Sequence, residues 1–85
     1  MDKVEELLLK LRGLKLGDRV LIRTQNYYGK HKIVEAEVVE IGKDYYSFYS
    51  LNLPSDVPSY FRVKKNKIEK RIKGVKFHEG SNKRN

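Results

Sequence analysis

The sequence predicts a mainly β domain: a five-stranded antiparallel barrel preceded by one short α-helix. Three observations carry this. The stretch from Ile33 to Leu51, IVEAEVVEIGKDYYSFYSL, reads as two strands folded back on each other at Gly42-Lys43-Asp44. Its alternation changes phase at Val38-Val39, the mark of a bulge where a strand bends out of one sheet direction into another. Helical periodicity is confined to Asp2–Arg12, while short alternating segments lie before and after the hairpin.

Asp2 with Glu5 three residues later fits a capping box, and their carboxylates suit the positive end of the helix dipole. Val4, Leu7, Leu8 and Leu11 fall at i, i+3, i+4 and i+7, giving one apolar stripe. Gly13 sits where a left-handed residue ends a helix, with Leu14 behind it for the hydrophobic contact. Three turns do not stand alone in water, so the stripe is expected to dock, either as a lid over an open barrel end or as an interface helix.

Leu16-Gly17-Asp18 makes a turn into a strand from Arg19 to Thr24, with Val20 and Ile22 on one face and Arg19, Leu21 and Arg23 on the other. Gln25 to Lys32, QNYYGKHK, has no sustained period and reads as a loop longer than turn-making requires. In the hairpin, Val34, Ala36 and Val38 share a face with Glu35 and Glu37 opposite. Val39 and Ile41 then become the apolar pair, with Glu40 between them. The return strand is rich in β-formers, Tyr46 and Phe48 expected inward and Tyr45, Ser47 and Tyr49 outward. Asn52 to Ser59 is a second loop, punctuated by Pro54 and Pro58. A strand from Tyr60 to Lys64 buries Phe61 and Val63 and exposes Tyr60 and Arg62. Lys65-Asn66-Lys67 suits one turn of 3₁₀ helix. The last strand is expected over Ile68–Lys73, with Val75 and Phe77 extending or covering it. The domain thus spans residues 1–78, and 79–85 reads as a disordered basic tail with nothing to bury.

This order of elements resembles the SH3-like small barrels, in the Sm-like variety that adds an N-terminal helix. The resemblance rests on LKLGDRVLIR, VVEIGKDYYSF and YFRVKKNKIEKRI and covers about Asp2 to Phe77. The Asp-x-x-x-Asn-type RNA-binding motif of true Sm proteins is missing, so ring assembly and uridine binding do not carry over. The resemblance implies geometry: the loop Gln25–Lys32 would lie near the turn Lys65–Lys67. Fold likeness supplies no function.

Eighty-five residues make one domain that buries about 60–65% of its unfolded surface, too small for a deep substrate cleft. There is no cysteine, which removes disulfides and thiolate metal sites and suits a cytoplasmic protein. The acidic start and an apolar run of only Leu7-Leu8-Leu9 argue against a signal peptide or a membrane span.

The net charge is +8, and its distribution says more than its size. Nine Lys/Arg balance nine Asp/Glu up to Phe61, whereas ten Lys/Arg face two glutamates from Arg62 onward. Such asymmetry points to a polyanionic partner. Basic residues also interleave with aromatics. Tyr27, Tyr28, Lys30, His31 and Lys32 share one loop, and Arg62, Lys64, Lys65, Lys67, Lys70 and Arg71 share the last two strands and their turn. Together with Arg23 and Tyr49, these lysines and arginines are expected to follow phosphates while tyrosine faces stack bases. The bland reading of the same residues is a solubilising surface. The competing reading is a protein-interaction module, an adaptor or inhibitor binding an acidic protein such as a nucleic-acid enzyme, as a monomer or weak homodimer.

No catalytic, metal or cofactor site is expected. His31 and His78 stand far apart with no acidic residue at a motif spacing. Glu35, Glu37 and Glu40 read as solvated strand residues with neighbouring lysines as cross-strand partners. The scattered glycines form no phosphate-cradling loop.

Overall fold

The computed structural model describes residues 2–51 and 56–77. The expected disorder of the tail from Glu79, and the Pro54 end of the second loop, lie outside them. Helix α1 (Lys3–Arg12) precedes strands β1 (Arg19–Gln25), β2 (His31–Ile41), β3 (Tyr45–Ser50) and β4 (Tyr60–Lys64). A 3₁₀ turn (Lys65–Lys67) and the single-turn helix α2 (Ile68–Arg71) lead into β5 (Ile72–Lys76). The strands form one antiparallel sheet in the order β4-β3-β2-β1-β5. No helix among the described residues is long and apolar enough to cross a membrane.

The hairpin is as the pattern predicts. Val38 pairs with Phe48 and Glu40 with Ser47, so Val39 is the extra residue of a bulge. Before it, Val34, Ala36 and Val38 are buried; after it, Val39 and Ile41 stay half-exposed on the single sheet instead of entering a second one. Tyr46 and Phe48 point into the core, where the Phe48 ring lies 5.5 Å from Phe61 and 6.3 Å from Tyr46. Ser47 is on the outward face as expected but is covered, its hydroxyl donating to Glu40 Oε1 at 2.8 Å. At the turn, the Gly42 amide donates to Tyr45 O at 2.9 Å.

Three expectations are corrected. First, the sheet is not closed into a barrel: β4 and β5 are its two edges, with no ladder between them. The chain spends residues 65–71 in the 3₁₀ turn and α2, so β5 begins at Ile72 and not at Ile68. The physical reason is a degenerate spacing. Ile68 and Ile72 are both buried, and a separation of four satisfies a strand period and a helical one alike. Second, β1 runs on to Gln25 and β2 starts at His31, which shortens the predicted eight-residue loop to residues 26–30.

Third, α1 docks by a different face. Asp2 caps it, accepting from the Glu5 amide at 2.8 Å, and Gly13 ends it at φ 71° with its amide on Leu9 O. Yet Val4, Leu7, Leu8 and Leu11 are 66%, 57%, 40% and 76% exposed, while Leu9 is buried at 7%. What sets the rotation is the far end of the helix. Arg12 makes a forked ion pair with Asp18, Nη1 to Oδ2 at 2.7 Å and Nη2 to Oδ1 at 3.0 Å, and its guanidinium lies 4.6 Å over the Phe77 ring. Leu14 is buried beside it, its amide donating to Tyr46 Oη at 3.3 Å. Leu9, three residues before Arg12, lies on the face that this tie seats, and Leu8, four before it, is the least exposed member of the stripe.

Candidate nucleic-acid interface

The turn at residues 26–30 is built by Asn26. Its side-chain oxygen accepts from the amides of Tyr28 (2.9 Å) and Lys30 (2.8 Å), an Asx-type arrangement. Gly29 takes φ 83°, which a side chain would resist, and donates to Asn26 O at 3.0 Å. The Asn26 amide group donates to Asp56 Oδ2 at 2.9 Å, and the Tyr27 backbone amide to Asp56 O at 2.8 Å. Lys32 Nζ reaches the same carboxylate at 3.0 Å. These bonds, Asn26 first and Lys32 second, hold the Asp56 carboxyl below the ordinary aspartate range. With the backbone so tied, Tyr27 and Tyr28 are presented outward, 68% and 81% exposed.

Where this turn joins its strands, the end of β1, the start of β2 and the 65–71 segment border an open hollow of about 340 Å³, lined by Arg23, Thr24, Gln25, His31, Lys67 and Arg71. Antiparallel register explains two of the six, since Gln25 and His31 are paired across β1 and β2. Arg71 is anchored by its Nε donating to Arg23 O at 2.9 Å. Its pKa is shifted downward from the ordinary arginine value, by burial first and by the positive charge of Arg23 second. An arginine does not deprotonate in a protein, so the shift records a charge partly withdrawn from water, with a like charge on Arg23 as the lesser cause. No carboxylate lines the hollow. Such a cationic concavity recruits an anion carrying several acceptor oxygens.

The other expected contact residues divide. Lys30 is exposed in the Tyr27–Tyr28 turn, and Lys64 and Lys70 are exposed on β4 and α2. Lys65 lies with Nζ 5.3 Å from the Tyr46 ring, its amide bound to Asp44 O. Lys32 is engaged by Asp56 and is the member whose charge is already answered. Arg62 stacks at 4.5 Å over the Tyr45 ring and approaches Glu40 at 3.7 Å. Tyr49 packs against Tyr60, ring centres 4.9 Å apart. Tyr49 pairs with Glu37, which pairs with Arg19, four residues back from Arg23 along β1. At about 3.3 Å per residue that is roughly 13 Å along the strand direction, and Tyr49 stands two strand spacings of about 4.8 Å to the side besides. The glutamates find arginine and serine partners: Glu37 with Arg19 at 3.6 Å, and Glu40 with Arg62 and Ser47.

Thr24 and Gln25 complete the hollow without having stood out as binding residues, and His31, named only as a member of the basic and aromatic loop, joins them. The outward parity of Arg23 and Gln25 was the available signal for Gln25. His31 needed the register. A shallower depression of about 580 Å³ lies on the β2–β3–β4 face, between Val39, Glu40, Ser47, Tyr60, Phe61 and Arg62. Compared with protein-family models, with curated proteins and with solved structures, the chain matches none.

Proposed function

We propose that this chain is a small basic nucleic-acid-binding protein. It seats phosphates against Arg23, Lys67 and Arg71 and stacks bases on Tyr27 and Tyr28, while Lys30, Lys64, Lys65 and Lys70 extend the cationic surface. Tyr49 and Arg62 belong to an outer contact on the neighbouring face. The observation that carries the proposal is the hollow with three positive charges, Arg71 tied among them, and no carboxylate in its lining, at the strand ends that the turn bearing the exposed Tyr27 and Tyr28 connects. A merely solubilising surface would intersperse both signs, as the β2–β3–β4 face does with Arg62 and Glu40. The strand order, the N-terminal helix and the 3₁₀ turn between β4 and β5 support a likeness to the SH3-like, Sm-like small folds, in an open form. A cytoplasmic setting accords with the cysteine-free composition.

A second reading has its own support. The outward Val4, Leu7, Leu8 and Leu11 have the i, i+3, i+4, i+7 spacing with which a helix enters an apolar groove. On that reading the chain is an adaptor or inhibitor of an acidic protein, and its charge steers the encounter.

Fluorescence anisotropy of labelled single- and double-stranded oligonucleotides, titrated with salt, tests the proposal. Three neutralised phosphates on a single strand give a slope of about −2 in log affinity against log salt. Tyr27→Ala is expected to weaken single-strand binding more than duplex binding, and Lys64→Glu/Lys65→Glu/Lys67→Glu to abolish both. Absence of binding at low salt overturns it.

A further inference from the structure

We infer that the hollow where the Tyr27–Tyr28 turn joins its strands receives a terminal phosphate, a phosphomonoester at a strand end, in preference to the internal phosphodiesters of a strand. This rests on the nucleic-acid reading above and names the part of the nucleic acid that the hollow takes.

The charge balance is the first argument. Arg23, Lys67 and Arg71 place three positive charges around about 340 Å³ with no carboxylate among the lining residues. An internal phosphodiester brings one negative charge and two free oxygens. A phosphomonoester brings a charge of about −1.5 to −2 at pH 7 and three strong acceptor oxygens. The monoester answers more of the cationic excess and occupies more of its donors.

The second argument is the fixed donor geometry. Arg71 spends Nε on the carbonyl of Arg23, and neither terminal nitrogen of its guanidinium is bonded to a described residue. The fork is therefore held in one orientation before any ligand arrives, at the place where Arg23 adds its own charge. Preorganised forks recognise terminal phosphate oxygens in pairs. Lys67 enters from the 3₁₀ turn, His31 and Gln25 from the facing strand ends, and Thr24 from β1. A diester threading the hollow needs two chain exits among these six side chains, whereas a strand end needs one.

The third argument is size and surroundings. Ligand pockets run to roughly 300–1,000 Å³, and this hollow stands at the small end, room for a phosphate and its sugar. The nucleotide bases must then lie outside it. The turn that joins Gln25 to His31, two of the lining residues, carries the exposed Tyr27 and Tyr28, aromatic faces within the same short stretch of chain for the first base of a strand seated by its end.

The test compares one labelled 12-nucleotide single strand in three forms: 5′-phosphorylated, 3′-phosphorylated, and hydroxyl at both ends. One phosphorylated form is expected to bind about tenfold more tightly than the hydroxyl form, the worth of an added charge-assisted contact. Lys67→Ala, an exposed residue with no structural bond, is expected to erase that preference. Lys70→Ala, on the same segment but outside the hollow, is expected to weaken all three forms equally. Arg71→Ala reports the same loss as Lys67→Ala if the variant still folds, and the lysine pair decides the matter if it does not. Equal binding of the three forms overturns the strand-end assignment and leaves the nucleic-acid reading standing. Failure of every form to bind at low salt removes both. Inorganic phosphate or pyrophosphate competing at concentrations comparable with the oligonucleotide assigns the hollow to a free anion and likewise overturns the strand end.

Discussion

Replacing Arg12 with methionine tests the account of how α1 is held. The Asp18 side chain is wholly buried, and Arg12, 23% exposed, meets both of its oxygens. The substitution keeps the aliphatic stem and removes the charge, leaving a carboxylate in the interior with the Lys15 amide, at 2.8 Å, among its remaining donors. Breaking one side of a buried pair costs about 3–5 kcal/mol. Losing the cation over the Phe77 ring adds about 0.5–1 kcal/mol. Water reaching the vacated edge offsets part of this, so the expected loss is about 3 kcal/mol. That is a large share of the roughly 5–15 kcal/mol typical of a domain, and it lowers Tm by roughly 12–24 °C at this size. Urea and thermal denaturation followed by circular dichroism read it directly, tyrosine serving as the near-ultraviolet probe since there is no tryptophan. The double variant Arg12→Met/Asp18→Leu leaves no charge stranded and is expected to recover more than half of the loss. A deficit below about 1 kcal/mol for Arg12→Met, or costs in the double variant that simply add, would refute the clamp.

The docking face of α1 separates two leucines: Leu9→Ala is expected to cost about 2–4 kcal/mol in urea, and Leu11→Ala less than about 0.5 kcal/mol. The reverse order would return the stripe to the core. A methyl at Gly42 would overlap the Tyr45 ring, so Gly42→Ala is expected to swing that ring away from Arg62 at a cost of about 1 kcal/mol; unchanged Tyr45 ring shifts in NMR count against it. The Asp56 tie is pH-dependent. Its carboxyl is depressed in the folded protein by Asn26 and Lys32, so its contribution is fully present above the unfolded aspartate value of about 3.9. It is lost as pH falls through the lower folded value. The backbone amides of Tyr28 and Lys30 are therefore expected to hold their shifts from pH 7 to about 4 and to move only below that, and movement near neutral pH contradicts the tie.

The hairpin was legible because a bulge leaves a mark in a period-two pattern: Val34, Ala36 and Val38 on one parity, Val39 and Ile41 on the other. The existence and caps of α1 were equally legible, since Asp2, Glu5 and Gly13 act within four residues of themselves. Its orientation was not. The rule that an apolar stripe turns inward gave way to a single charged pair, Arg12 with Asp18, whose strength depends on burial that no local pattern records. The segment Ile68–Ile72 was ambiguous by arithmetic, a spacing of four being common to both periods. For the candidate interface, charge and aromatic content marked twelve residues alike, and Arg23, Lys67 and Arg71, which line one hollow, were three of them. Their convergence, and the distance of Tyr49 from them, follow from strand register, which is settled by pairings between residues remote in the chain.

The crossing from β4 to β5 has a consequence for how such a protein changes over time. Of residues 65–71 only Ile68 is buried; the other six side chains are exposed or partly so, and they carry four of the chain's cations along with Glu69. Strand pairing ends before this stretch and resumes after it. Selection can therefore rewrite its charges one at a time, with stability changes of about 0.5 kcal/mol or less at the exposed positions. Arg71, tied to the Arg23 carbonyl, is the position where fold and ligand would be altered together. Keeping Ile68 and Arg71 while varying the five residues around them is a route by which descendants of one scaffold acquire different partners.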